Sequence, residues 1–157
     1  MTFEYHDGNA FEGNGQAVVV TVNCVGAMGR GIAEECRGRM WWLYKAYKGH
    51  CARRRIHPGT ISLPFCLYDG PQVRAQSGHD FVVLLPTKDD WKKPSRIEWV
   101  KSGLEDLAAL AVKEKWTVVD MTLPGTENGW IKNKDTVRLL VREILGPQET
   151  LFRIWTL

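Results

Sequence analysis

Apolar positions along this chain recur with two periods, and the switches between them predict the elements. Ala17 to Val22 is apolar at every position except Thr21 and follows a Gly-Asn-Gly turn, so it reads as a strand buried on both faces. Phe3 to His6 is a shorter strand candidate that ends at the turn Asp7-Gly8-Asn9. Thr60 to Leu67, Asp80 to Leu85, Trp116 to Leu123 and Leu151 to Thr156 are further strand-like runs. The period changes at Ile97, Val100, Leu104, Leu107, Ala108 and Ala111, which fall on one helical face; Ser95-Arg96-Ile97-Glu98 before it has capping-box spacing. A second helix is predicted over Lys134 to Leu145, stopped by Gly146-Pro147. A third runs from Gly31 to about Tyr47, with a break near Gly38. Strands alternating with helices make this an α/β layered domain around a mixed sheet, one domain over residues 1–157.

In such sheets ligands gather at the C-terminal strand ends. Three loops are expected there, after Val22, Leu85 and Leu123. The first, Val22 to Ala33, holds three glycines, an asparagine, a cysteine and a methionine and no acid. A strand that stops at Asn23 and bends through glycines into a helix collects free backbone N–H groups, which suits a phosphate. The same glycines also serve a simple tight turn, and spacing alone leaves both readings open.

Composition narrows the partners rather than the fold. No apolar run approaches a membrane span and no N-terminal signal is visible, so a cytoplasmic protein with no membrane partner is expected. Cys24, Cys36, Cys51 and Cys66 show no C-x-x-C pairing and no histidine at zinc spacing, so reduced thiols and no metal are expected. A net charge of +3 is too small to argue for nucleic acid by itself, but no Asp or Glu occurs between Cys36 and Leu67. Arg53, Arg54 and Arg55 lie in that stretch and form a candidate basic surface for DNA. Its Arg and Lys residues interleave with Trp41, Trp42, Tyr44 and Tyr47, which either stack bases or form the packed face of a helix whose wet face is cationic.

The combination of Gly8-Asn9, Asn23-Cys24-Val25-Gly26-Ala27-Met28-Gly29-Arg30-Gly31-Ile32-Ala33, His57-Pro58-Gly59, Leu85-Pro86-Thr87-Lys88-Asp89-Asp90-Trp91, Ser95-Arg96 and Pro124-Gly125-Thr126-Glu127-Asn128-Gly129-Trp130 resembles the macrodomain family, in matching order over nearly the whole chain. Within it the resemblance is to the branch of DarG-type DNA ADP-ribosyl glycohydrolases and the terminal ADP-ribose protein glycohydrolase. It implies a three-layer α/β/α sandwich with a central mixed sheet and an ADP-ribose cleft, with no cofactor. Gly8, Asn9 and Ala10 would lie near the adenine. Cys24, Val25, Met28, Gly29, Gly31, Ile32 and Ala33 would wrap the distal ribose, and Pro86 and Thr87 would lead to its far side. Gly125, Thr126, Glu127, Asn128, Gly129 and Trp130 would lie against the diphosphate. The implied catalytic pair is Lys88, beside the anomeric carbon, and Asn23, hydrogen-bonded to the distal ribose.

Cleaving a ribosyl bond builds oxocarbenium-like character at the anomeric carbon, by analogy with other glycosides. A lysine amine attacks such a carbon only when partly neutral, which needs desolvation or a cationic neighbour. Lys92 and Lys93 are the sequence's candidates for that neighbour, opposed by Asp89 and Asp90. Without the motif, Lys88 reads as a solvated loop lysine and Asn23 as a strand-end residue satisfying local backbone groups. Cys24 reads as a packing residue, since no base stands beside it in the sequence. The late loop departs from the family: Glu127 stands where a glycine is usual, and Ile131 where the protein-directed branch has an acid. These departures keep open hydrolysis of ADP-ribose 1''-phosphate and a non-catalytic ADP-ribose or nucleotide-binding module. A nucleic-acid binder unrelated to ADP-ribose also stays open, and the sequence leaves oligomeric state undecided.

Overall fold

The computed structural model describes residues 2–62, 64–67, 78–126 and 131–156. Strands β1 (Phe3–Asp7), β2 (Ala17–Val22), β3 (Phe65–Cys66), β4 (Phe81–Pro86), β5 (Val118–Thr122) and β6 (Leu151–Thr156) form one sheet in the order β1-β6-β5-β2-β4-β3. Every neighbouring pair is parallel except β3 with β4. Helices α1 (Gly31–Arg39) and α2 (Trp41–Ala52) cover one face, α3 (Ile97–Glu114) and α4 (Lys134–Leu145) the other, giving three α/β/α layers. The two-residue period of β2 produces this division. Val18, Val20 and Val22 enter the core under α1 and α2, while Ala17 and Val19 enter the core under α3 and α4. No described helix is long and apolar enough to cross a membrane.

Three expectations change. Of the run Thr60 to Leu67, only Phe65–Cys66 joins the sheet. The backbone ahead of it is committed elsewhere: Gly59 N–H donates to the Pro86 carbonyl at 2.8 Å and Ile61 N–H to Asp106 Oδ2 at 3.0 Å. The capping box does not form. Arg96 is the N-cap, its carbonyl accepting the first helical bonds from Trp99 and Val100, and the buried Ser95 hydroxyl finds no partner among the described residues. The break between the first two helices falls at Met40, not Gly38, and the second runs past Tyr47 to Ala52. Met40 is fully buried, so the chain bends where this side chain and Leu43 can both reach the core.

One buried charge ties the layer around the sheet's middle. Asp120 on β5 accepts from Gly15 N–H (2.9 Å), His79 Nε2 (2.8 Å), Arg153 Nε (2.8 Å) and Nη2 (3.1 Å), and Trp155 Nε1 (2.8 Å). Burial opposes its charge, but these donors prevail and hold the carboxyl down at about 2. Two residues on, along the same face of β5, Thr122 reaches the C-terminal edge of the sheet.

Candidate active site

At that edge the loops after β2, β4 and β5 enclose a cavity of about 390 Å³, within the size range of small-molecule sites. Its walls are Thr21, Val22, Asn23, Ala27, Gly29, Arg30, Ile32 and Ala33 from the first loop and its flanks, Thr87, Lys88 and Trp91 from the second, and Thr122, Leu123 and Gly125 from the third. The loops are stitched where they leave the sheet. Pro86 has no N–H, and the next donor, Thr87 N–H, reaches the Val22 carbonyl at 3.1 Å; Cys24 N–H then donates to the Asp89 carbonyl at 3.1 Å.

Asn23 shapes the first loop from inside. Its Oδ1 accepts from the N–H groups of Val25 (3.1 Å), Gly26 (3.2 Å) and Ala27 (3.2 Å) and from the Tyr47 hydroxyl (2.8 Å), while Nδ2 donates to the Ala27 carbonyl (2.8 Å). The carbonyl end of the amide is fully engaged in folding the wall of the cavity that Asn23 also lines. Gly26 takes φ 89°, a left-handed conformation that this bend requires.

Lys88 is 8% exposed, at the end of the second loop's extended segment, and its Nζ donates to the Trp91 carbonyl at 3.4 Å. Burial, and then the Arg30 guanidinium, depress its pKa below the ordinary lysine value. The cationic neighbour is thus Arg30, from the first loop, in place of the expected Lys92 and Lys93. Arg30 and Lys88 are the charged residues of the lining, and both are cations, which suits an anionic ligand. The Cys24 thiol is pushed up to about 12, first by burial and then by Asp89 and Cys51, which leaves it an unreactive packing group.

Of the residues expected at the site, Asn23, Gly29, Ile32, Ala33, Thr87, Lys88 and Gly125 line the cavity. Cys24, Val25, Met28, Gly31, Pro86 and Thr126 sit in the same loops but outside the lining: Met28 is buried in the core, Val25 points to solvent, and Thr126 donates its hydroxyl to the Leu123 carbonyl at 3.1 Å. Gly8, Asn9 and Ala10 also lie outside it; Asn9 caps the short 3-10 turn Ala10–Glu12 through its side chain, and Ala10 is buried. Glu127, Asn128, Gly129 and Trp130 lie outside the described residues. Gly125 itself takes φ 77°, and a Cβ there would meet Ile131 Cδ1 at 2.8 Å. Ile131 packs against the core at that point. Sequence reasoning missed Thr21, Val22, Ala27, Arg30, Trp91, Thr122 and Leu123. Arg30 and Trp91 stand inside the quoted motifs, and Thr122 could have been reached by strand alternation.

No family model matches the chain. The DNA ADP-ribosyl glycohydrolase of Mycobacterium tuberculosis is 31% identical over 139 residues, 87% of this chain and 37% of that protein. The protein of the same name from Thermus aquaticus is 31% identical over 145 residues, 90% of this chain and 38% of that protein. This chain therefore spans well under half the length of the curated relatives it matches. Among solved structures, the macrodomain of Mycobacterium tuberculosis DarG superimposes with a TM-score of 0.85 at 26% identity, covering 99% of this chain and 97% of that one. The Thermus aquaticus DarG macrodomain gives 0.84 at 27% identity, with the same coverage of 99% and 97%. A Thermosipho africanus DarTG structure in complex with ADP-ribose gives 0.82 at 24% identity over 94% of this chain and 39% of that one. The chain belongs to the macrodomain family, as a macrodomain of the DarG type.

Proposed function

We propose that this chain is a hydrolase that releases ADP-ribose from modified DNA, with the Lys88 amine attacking the anomeric carbon of the distal ribose. The observation that carries the reading is a nearly buried lysine in a cavity wall, its ammonium form disfavoured by burial and by Arg30. Relatives named DNA ADP-ribosyl glycohydrolases support the substrate class. In its neutral form the amine adds to the anomeric carbon as the bond to the aglycone breaks. The aglycone takes the bonding pair and, in net, the proton the amine loses. Opening of the ribose ring turns the glycosylamine into an imine, and water adds to it, returning the amine and free ADP-ribose. Asn23 holds the first loop in shape through Oδ1, and the Nδ2 N–H not given to the Ala27 carbonyl donates to the distal ribose.

The preference for DNA is supported by the surface of α2. Leu43, Tyr47 and Cys51 form its packed face, whereas Trp41 and Trp42 are 56% and 37% exposed. The Tyr44 ring has Arg37 at 5.9 Å and Lys48 at 5.6 Å, and Arg53, Arg54 and Arg55 are exposed at the helix end. Exposed aromatics among cations suit bases and phosphates.

Three substrates test the reading: ADP-ribosylated DNA, protein carrying ADP-ribosyl-glutamate, and ADP-ribose 1''-phosphate. Free ADP-ribose should appear from the DNA, and Lys88→Ala should lose at least about a thousandfold in turnover. Measurable ADP-ribose binding with no product from any substrate would leave a binding module. Phosphate released from the third substrate by Lys88→Ala would overturn the role of Lys88.

A further inference from the structure

Three of the residues lining the cavity are exposed to solvent: Gly29, Arg30 and Trp91. They mark its mouth. On the reading proposed above, in which the anomeric carbon of ADP-ribose meets Lys88, the group attached to that carbon would leave across this mouth. Of the three, Trp91 alone offers a broad flat surface. Its side chain is 53% exposed and belongs to neither apolar core among the described residues. Trp91 nevertheless lines the cavity with Lys88, and its backbone carbonyl accepts from Lys88 Nζ at 3.4 Å. Its loop is braced by Lys93 N–H to the Asp90 carbonyl (3.0 Å) and Lys92 N–H to Asp90 Oδ1 (3.0 Å). The Lys92 ammonium stands over one face of the indole, 5.4 Å from its centroid, so a stacked partner would take the opposite face.

We infer that Trp91, with Lys92 beside it, is the subsite for the aglycone: a platform on which the nucleobase that carries the ADP-ribose stacks while Lys92 faces its strand's phosphate. The inference deepens the reading of the chain as a DNA-directed hydrolase and rests on it. An indole face accepts any base, since every base has a π surface, and a neighbouring cation matches a phosphodiester. An acidic peptide fits this rim poorly. The negative π face of the indole offers a carboxylate no face-on partner.

The test compares wild type, Trp91→Ala and Trp91→Phe on an ADP-ribosylated oligonucleotide and on ADP-ribosyl-glutamate protein, with ADP-ribose affinity measured by calorimetry and folding checked by thermal melting. Trp91→Ala should raise KM for the oligonucleotide about tenfold, a larger loss than in ADP-ribose affinity, and Trp91→Phe should recover most of it. Equal losses in oligonucleotide KM and ADP-ribose affinity would reduce Trp91 to a piece of cavity wall and overturn the inference. So would an unchanged KM, or a larger loss on the protein substrate than on DNA. A wild-type protein that leaves the oligonucleotide intact would instead overturn the DNA reading itself, and the subsite with it.

Discussion

Lys88 and Arg30 come from different loops, and their meeting adds to the effect of burial on the lysine's pKa. Burial first, and then the cation beside it, disfavour the Lys88 ammonium, so the neutral amine is present at lower pH than in a solvated lysine. With the amine as nucleophile, kcat/KM should rise with pH on a limb that lies below the ordinary lysine range. Removing the positive neighbour raises the lysine's pKa. Arg30→Gln should therefore move that limb to higher pH and lower kcat/KM several-fold at pH 7, while Arg30→Lys keeps the wild-type profile. A pH–rate profile that does not move in Arg30→Gln would refute this coupling. Lys88 itself was legible from the Pro86-Thr87-Lys88 motif at a strand end. Its neighbour was not, because charges nearby in sequence, such as Lys92 and Lys93, need not be nearby in space.

Strand β5 carries a fully buried carboxylate, Asp120, held by five hydrogen bonds. Asp120 keeps its charge down to about pH 2, whereas an unfolded aspartate titrates near 3.8. A depressed folded-state value means that the stabilisation is complete above about pH 4 and disappears as pH falls through about 2, and it amounts to something on the order of 2 kcal/mol. Asp120→Asn leaves the Arg153 guanidinium without its counter-charge and should cost roughly 3 kcal/mol at neutral pH. It should also flatten the pH dependence of stability between about 4 and 2, measured by urea unfolding at a series of pH values. An unchanged slope in that window would count against Asp120 as its source. Elements differ in how far the chain's pattern disclosed them. Helix α4 and strand β6 fall where the apolar period and the Gly146-Pro147 stop signal put them. Strand β3 and the start of α3 do not, because the segment at Ile61 gives its backbone N–H to an Asp106 side chain and Ser95 is turned inward.

Across the molecule, cations and exposed aromatics of α2 share the side of the sheet that carries the first loop of the cavity. Gly26 in that loop lies against Lys48 of α2, where an added Cβ would stand 3.4 Å from Lys48 Cγ. A polynucleotide held on this side should release counterions on binding, so KM for an ADP-ribosylated oligonucleotide should rise steeply with salt. Reversing the charge of Arg53, Arg54 and Arg55 together should raise that KM by about tenfold or more at low salt and reduce the salt slope. A slope that survives the triple reversal would make these arginines an ordinary solvated turn.

Local pattern alone determined the α/β class, a β2 buried on both faces, and the three loops that gather at one sheet edge, because periodicity and turn chemistry depend on neighbours in the chain. It also marked the bend after Asn23, whereas Lys88 stood out only through the family resemblance of the Pro86-Thr87-Lys88 motif. The tertiary structure decided the rest: that Arg30 faces Lys88, that Asn23 Oδ1 is taken up by its own loop and by Tyr47, that Gly8, Asn9 and Ala10 stand outside the cavity, and that Trp91 is at its mouth. Each of these depends on which loops the sheet order brings together, and burial and through-space charge follow that order rather than distance along the sequence.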